Sequence, residues 1–212
     1  MTTARDLALV VLGLPPERPV ERGDLSLALA GAEAVDLLER GVLTLDGDRM
    51  VPGPRTATGD RLLDQAAGSL LRRAPYETVG DWLWRRGHQL AAIYAEDLER
   101  TGLLVSPRGH RYRLRTGRPV PADSPERRSA EERRVSGEPV LAALTAVLGT
   151  RDTEDTEDTE GTEVSPTDTR ESLDGGPVST VLAAVGDAVT ELEAARLRRD
   201  VEDSAFDNIW RG

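Results

Sequence analysis

The stretch that decides the fold is TGDRLLD at residues 58–64, followed after a short basic break by PYETVGDWL at residues 75–83. Asp60 precedes leucines and alanines that recur at helical spacing, which is typical of a helix N-cap. Thr78 and Asp81 stand three residues apart, which is the spacing of a capping box. The two segments therefore predict two successive helices, and they favour a role at helix starts over a catalytic role for these carboxylates.

A helix and a hairpin are predicted before this stretch. Apolar residues within 25–38 recur on one helical face, and Gly41 marks the end of the helix. The run at 42–51 contains Asp46-Gly47, a strong signal for a two-residue turn between strands. The sequence therefore predicts a helix up to Glu39 and a short hairpin directly after it.

The same unit is repeated downstream of the central stretch. Apolar residues within 90–98 form the next helical stripe, and Gly102 ends that helix. Residues 103–114 predict a second hairpin with its turn near Arg108-Gly109. A helix followed by a hairpin, occurring twice, is also the pattern of a pair of winged-helix-like units.

The central stretch resembles the core of the Golgi phosphoprotein 3 family. The shared pattern is T-G-D, a Leu-Leu-Asp helix start and P-x-x-T-V-x-x-W, and this chain keeps each of those positions within 58–64 and 75–82. The resemblance implies a mainly α fold, with a helical bundle core ringed by amphipathic helices and two short β-hairpins. It also implies a non-enzymatic peripheral membrane adaptor that binds phosphatidylinositol 4-phosphate or another anionic phospholipid headgroup.

Composition limits the other possible functions of this 212-residue chain. It has no cysteine, which excludes disulfides, cysteine-ligated zinc and thiol nucleophiles. No segment approaches the roughly 20 apolar residues that span a bilayer, and the N-terminus lacks the pattern of a signal peptide. All 27 basic residues are arginine, as expected of a GC-rich bacterial genome. We therefore expect a cytoplasmic protein whose membrane contact is peripheral.

Charge divides the chain into three parts. Residues 1–150, predicted as the helical core with two hairpins, carry equal numbers of acidic and basic side chains, so the net charge of −11 lies entirely in 151–212. A period-three tract of Asp, Thr and Glu in 151–176 predicts a disordered acidic loop, and the lack of an EF-hand glycine argues against calcium binding there. A stripe of valines and leucines predicts a helix within 177–212 that packs on the same domain.

A basic stretch is the candidate lipid site. Residues 108–134 contain nine arginines and four acids, and arginine presents a fork that suits phosphate. The alternative is a solvated face that the acidic loop neutralises in cis. The predicted headgroup-binding residues are Arg111, Arg113, Arg127, Arg128, Arg133 and Arg134.

The lipid pocket that the resemblance implies is changed in this chain. In the family it combines a Trp and an Arg before the first hairpin with two arginines ahead of a Leu-rich helix. This chain has Glu21 and Ala30 at the first two positions, and the nearest arginine pair is Arg133-Arg134, ahead of a predicted helix at 141–148. The family's hydrophobic hairpin is replaced by the polar tract 151–176.

No catalytic, metal or cofactor site is predicted. His88 and His110 are the only histidines, and neither stands at a metal-ligand spacing, so both are expected at the surface. The alternative function is a regulatory interaction protein that uses winged-helix-like units on a protein partner or on DNA. The neutral net charge of 1–150 argues against nucleic acid, and the sequence does not identify a protein partner.

Overall fold

The computed structural model describes the backbone of residues 2–14, 20–105, 120–149 and 175–209, and the side chains of these residues except 200 and 203–209. The described part is mainly helical, with eight helices and two antiparallel strand pairs. The predicted fold class is confirmed. The elements are α1 (Thr3–Leu12), α2 (Arg22–Glu39), β1 (Leu43–Asp46), β2 (Arg49–Pro52), α3 (Arg61–Ser69), α4 (Val79–Arg86), α5 (Leu90–Arg100), β3 (Leu104–Val105), β4 (Val120–Pro121), α6 (Pro125–Val135), α7 (Pro139–Val147) and α8 (Pro177–Ile209).

Helix α2 lies at the centre of the molecule. It packs against α1, α3, α4, α5, α7, α8 and β1, and its residues from Asp24 to Leu37 are buried on every face. A helix that is buried all round must be apolar or must pair its polar groups, and α2 does both. Its small residues between Ala28 and Ala34 allow the neighbouring helices to approach closely.

The closest approach to α2 is made by α8 at Gly31. A Cβ atom on Gly31 would lie 2.3 Å from Val185 Cγ2. Val185 is fully buried and β-branched, so its side chain has little freedom to move away. The glycine is therefore required by packing, although it lowers the intrinsic helix propensity.

We expect Gly31→Ala to destabilise the fold by about 1 kcal/mol or more, because the overpacking cost of about 1 to 3 kcal/mol exceeds the helix-propensity gain. Gly68→Ala in α3 is the matched control, since nothing lies within 4 Å of a Cβ there and the change should be neutral or stabilising. Urea unfolding measures both variants, and adding Val185→Ala to Gly31→Ala should recover part of the loss. A Gly31→Ala variant as stable as Gly68→Ala would contradict the close approach.

The predicted helix starts are confirmed. Asp60 Oδ1 accepts hydrogen bonds from the backbone N–H groups of Leu62 and Leu63, at 2.9 and 3.0 Å. Thr78 and Asp81 form the reciprocal capping box at the start of α4. These carboxylates therefore hold the first turns of α3 and α4, as the sequence predicted.

The first predicted hairpin is confirmed, and the second is corrected. Strands β1 and β2 pair with Asp46 opposite Arg49, so the two turn residues are Gly47, at φ +61°, and Asp48, one residue later than the predicted Asp46-Gly47 dipeptide. The partner of β3, however, is β4 at Val120–Pro121, which lies beyond the predicted range of 103–114. Each of these strands has only two residues, too few to give a period-two pattern. The predicted turn at Arg108-Gly109 lies outside the described residues.

The first and the last of the described helices pack on the bundle. Helix α1, which the sequence pattern did not predict, packs on α2, and Asp36 of α2 accepts hydrogen bonds from the Thr3 and Ala4 N–H groups. Helix α8 packs against α2, α4 and α7. The predicted acidic loop 151–176 lies outside the described residues, except for Gly175 and Gly176.

Candidate functional site

Two exposed valines form an apolar pair where β3 and β4 meet. Val105 and Val120 are direct partners in the antiparallel register, and they are 51% and 52% exposed. Side chains of directly opposed residues stand on the same face of a strand pair. The two valines therefore make one small apolar surface that the described part of the fold leaves open to solvent.

Arg127 of α6 lies next to strand β4, and Arg128 follows it on the same helix. Ser124 caps α6, with Pro125 in the first turn, so the helix begins directly after β4. Arg127 is exposed and donates from Nη1 to the carbonyl of Pro121, at 3.4 Å, which places its guanidinium next to β4. Arg128 is also exposed. We call Val105, Val120, Arg127 and Arg128 the β3–β4 surface.

The segment 106–119 joins this surface at both ends. Because Val105 pairs with Val120, the residues that flank 106–119 on both sides lie next to each other. Residues 106–119 contain five arginines and no acidic residue, and they include the predicted site residues Arg111 and Arg113. These residues lie outside the described part of the structure, so their proximity to Arg127 and Arg128 stays a prediction.

Arg133 and Arg134 of α6 are engaged in ion pairs. Arg133 pairs with the fully buried Asp6 of α1 and, at 3.3 Å, with Glu138 at the start of α7. Arg134 pairs with Glu131 within α6, at 2.6 Å. Arg133 thus links α6 to α1 and α7. The structure therefore gives it a structural role in addition to the binding role predicted from the sequence.

The environment of Asp6 explains why this ion pair matters. Burial raises the pKa of the Asp6 carboxyl above its ordinary value, and the hydrogen bond and the charge of Arg133 limit that rise. Its second oxygen, Oδ1, is buried with no hydrogen-bond partner among the described residues. Arg133 is therefore the main group that stabilises the charged form of Asp6.

The arginines that follow the tryptophans of α4 also serve the fold. Trp82 is fully buried and its indole N–H donates to the carbonyl of Ala30, at 3.2 Å. The guanidinium of Arg85 donates to both carboxylate oxygens of Glu77, and the guanidinium of Arg86 donates to both oxygens of the buried Glu33. These bidentate pairs leave Arg85 and Arg86 poorly suited to hold a ligand.

Ala30 and Glu21, the two positions that the resemblance assigns to the family pocket, differ in burial. Ala30 is fully buried inside α2 and accepts the bond from Trp82, whereas Glu21 is exposed at the N-cap of α2. Neither side chain can supply the stacking or the positive charge of a Trp and an Arg. His88 is exposed in the turn between α4 and α5, as predicted, and His110 lies outside the described residues.

Neither a cluster of metal ligands nor a membrane-spanning helix occurs among the described residues. In the described ranges, no group of three or more His, Cys, Asp or Glu residues is arranged to hold a metal ion. None of the helices in those ranges combines the length and the apolar character needed to cross a bilayer.

The fold and the surface define a mainly helical protein with two short strand pairs and a basic, partly apolar edge. The family model for Golgi phosphoprotein 3 (GPP34) matches residues 4–202, nearly the whole chain. The chain therefore belongs to the Golgi phosphoprotein 3 family, as the central stretch predicted. A search of curated proteins gave no match.

Proposed function

We propose that this chain is a non-enzymatic peripheral membrane adaptor that binds anionic phospholipid headgroups, phosphatidylinositol 4-phosphate among them, through the β3–β4 surface and the arginines of 106–119. The observation that carries the proposal is the exposed pair Val105 and Val120 directly beside Arg127. Family membership supports the same function, because the characterised relatives that the sequence resembles bind a phosphoinositide.

The apolar and basic parts of this surface would act together at a bilayer. A single exposed arginine contributes little, but each basic residue near an acidic membrane adds about 1 kcal/mol. Two half-exposed valines add an apolar contribution of about 1 kcal/mol each if they enter the interface. Stable peripheral binding generally needs two such signals, and this edge offers both.

We expect the protein to float with vesicles that contain phosphatidylserine or phosphatidylinositol 4-phosphate, but not with pure phosphatidylcholine. Raising salt from about 0.05 to 0.5 M should release it, since the Debye length falls from about 14 to 4 Å. Arg127→Ala with Arg128→Ala should weaken vesicle binding roughly tenfold to thirtyfold at low salt, because two basic residues are lost.

The control is Arg198→Ala with Arg199→Ala, an adjacent pair of exposed arginines on α8 that removes the same charge elsewhere. It should bind vesicles like the wild type. Val105→Ser with Val120→Ser tests the apolar part. It should weaken vesicle binding at low salt without changing how steeply binding falls as salt is raised, because apolar contacts are not screened.

Several outcomes would count against the proposal. If the wild type ignores acidic vesicles even at low salt, the adaptor works through protein partners alone, and a DNA mobility shift run in parallel tests the nucleic-acid alternative. If Arg127→Ala with Arg128→Ala binds like the wild type, the site lies elsewhere. Arg72 and Arg73 beside the 48% exposed Leu71 would then be tested next.

A further inference from the structure

Three arginines from three helices converge on one buried carboxylate, away from the β3–β4 surface. Asp97 of α5 has a side chain only 1% exposed. Its Oδ2 accepts from Arg5 Nη2 at 2.9 Å, and its Oδ1 accepts from Arg61 Nη2 and from Arg100 Nη2, both at 2.7 Å. We call Arg5, Arg61, Arg100 and Asp97 the Asp97 cluster.

The cluster brings two like charges together at the surface. Arg61 and Arg100 bond to the same oxygen atom, so their guanidinium groups lie side by side, and their side chains are 51% and 60% exposed. Two carboxylates, Asp97 and Asp60, pair with the three guanidinium groups, and only Asp97 pairs with Arg61 and Arg100. Burial opposes ionisation of Asp97, but the hydrogen bonds from Arg100 and Arg61 hold its pKa below the ordinary value, so its single charge is constant near neutral pH.

Two carboxylates at the start of α3 are engaged in hydrogen bonds with nearby backbone and hydroxyl groups. Asp60 accepts from two N–H groups of α3, and its other oxygen lies 3.4 Å from Arg5. Asp64 accepts from the backbone N–H and the hydroxyl of Thr58, at 2.7 and 2.8 Å. Neither carboxylate is hydrogen-bonded to Arg61 or Arg100, whose side chains are more than half exposed.

We infer that the Asp97 cluster binds a phosphate-bearing anion across the outer edges of Arg61 and Arg100. A guanidinium presents its donors in a planar fork that matches phosphate oxygens, and a doubly charged group would relieve the repulsion between the two adjacent forks. Arg5 supports the site indirectly, because it donates to the other oxygen of Asp97. The TGD segment would thus serve a second purpose, since it fixes the start of α3 and with it Arg61.

This site is separate from the one proposed for membranes. The two sites share no residue. Arg5 and Gly13, where an added Cβ would lie 3.1 Å from Pro121 of β4, are about 12 Å apart along α1, whereas Arg100 at the end of α5 precedes Val105 by only five residues. Each double variant is therefore tested in both binding assays.

The test is a titration of the full chain with pyrophosphate, followed by thermal unfolding at ionic strength matched with chloride. The wild-type Tm should rise and saturate with pyrophosphate, because a ligand that binds only the folded state stabilises it. Arg61→Gln with Arg100→Gln should weaken pyrophosphate binding about tenfold or more, since several charge-assisted hydrogen bonds are lost. Arg5 still pairs with Asp97 in this variant, which protects the fold.

Two further variants make the result specific. Arg198→Gln with Arg199→Gln removes equal charge from α8 and should keep the wild-type Tm rise. Arg61→Lys with Arg100→Lys keeps the charge but loses the planar guanidinium donors. This variant should bind pyrophosphate more weakly than the wild type and more tightly than the glutamine variant. A glutamine variant that keeps the full Tm rise, or a wild type with no rise, overturns the inference.

A vesicle arm distinguishes the source of the phosphate. If Arg61→Gln with Arg100→Gln also loses binding to vesicles with phosphatidylinositol 4-phosphate but not with phosphatidylserine, the ligand is a lipid phosphate group. If only the pyrophosphate titration changes, the ligand is a soluble phosphate compound. If Arg127→Ala with Arg128→Ala abolishes the pyrophosphate response instead, the anion belongs to the β3–β4 surface and this inference is wrong.

Discussion

Replacing Glu33 with alanine is expected to lower the free energy of unfolding by about 3 to 5 kcal/mol, the usual cost of removing one partner of a buried ion pair. Glu33 is fully buried in the central helix α2. Arg86 of α4 donates to its two oxygens at 2.7 and 2.8 Å, and the Tyr94 hydroxyl of α5 donates at 3.1 Å. The alanine variant would leave Arg86 charged, with a side chain only 12% exposed and no carboxylate to pair with.

The protonation states support this arrangement. Burial raises the pKa of Glu33, and the hydrogen bond and charge of Arg86 limit the rise. Burial and the Glu33 charge raise the pKa of Tyr94 well above its ordinary value, so its hydroxyl stays a donor at all working pH values. The three groups therefore form one hydrogen-bonded network that joins α2, α4 and α5.

Urea unfolding of Glu33→Ala, Arg86→Ala and the double variant measures the coupling. The double variant should be less destabilised than the sum of the single ones, because removing both partners leaves no unpaired charge. Glu39→Ala is the matched control, since Glu39 is an exposed glutamate at the end of the same helix and its loss should change stability by no more than about 0.5 kcal/mol. A loss below about 1 kcal/mol in Glu33→Ala would show that the network contributes little.

Local signals in the sequence were enough to predict several elements of the fold. Asp60 and the Thr78–Asp81 box act within their own first turns, and the turn that follows Asp46 closes a hairpin of neighbouring residues. Such features depend on a few adjacent residues, so they can be read without tertiary information. Helix α1 was missed although Thr2 is a local cap, because its buried residues cover most of its surface and give no one-sided apolar stripe.

Long-range pairing could not be predicted. Nothing in the sequence shows that Arg86 meets Glu33, or that Arg5, Arg61 and Arg100 share Asp97, because these partners come together only through helix packing. The basic stretch was visible as a run of arginines, but its members have different roles. The amphipathic position of each residue on α6 decides whether it faces solvent, as Arg127 does, or the core, as Arg133 does.

Replacing Arg133 with alanine is expected to cost about 3 kcal/mol of the free energy of unfolding at neutral pH. The loss arises because Asp6 is fully buried and would keep no cationic partner, while α6 would lose its ion pairs to both α1 and α7. We take the lower part of the usual range because the Arg133 side chain is 31% exposed. Arg128→Ala is the control, since Arg128 is exposed on the same helix and its loss should change stability by no more than about 0.5 kcal/mol.

The deficit of Arg133→Ala relative to the wild type should shrink as the pH falls from 7 towards about 4. Burial already raises the pKa of Asp6 from 3.8, and the loss of Arg133 would raise it further. The folded variant then binds more protons than the unfolded chain between that ordinary value and its raised pKa, so its stability increases as the pH falls through this window. Adding Asp6→Asn to Arg133→Ala should remove most of the deficit at pH 7 and all of its pH dependence. If the deficit is the same at pH 4.5 and pH 7, Arg133 stabilises α6 through packing and not through the charge of Asp6.

The structural role of Arg133 also decides which residues can test lipid binding. A loss of vesicle binding in Arg133→Ala would reflect the displacement of α6 as well as a lost lipid contact. Arg127 and Arg128 are therefore the residues to test for binding.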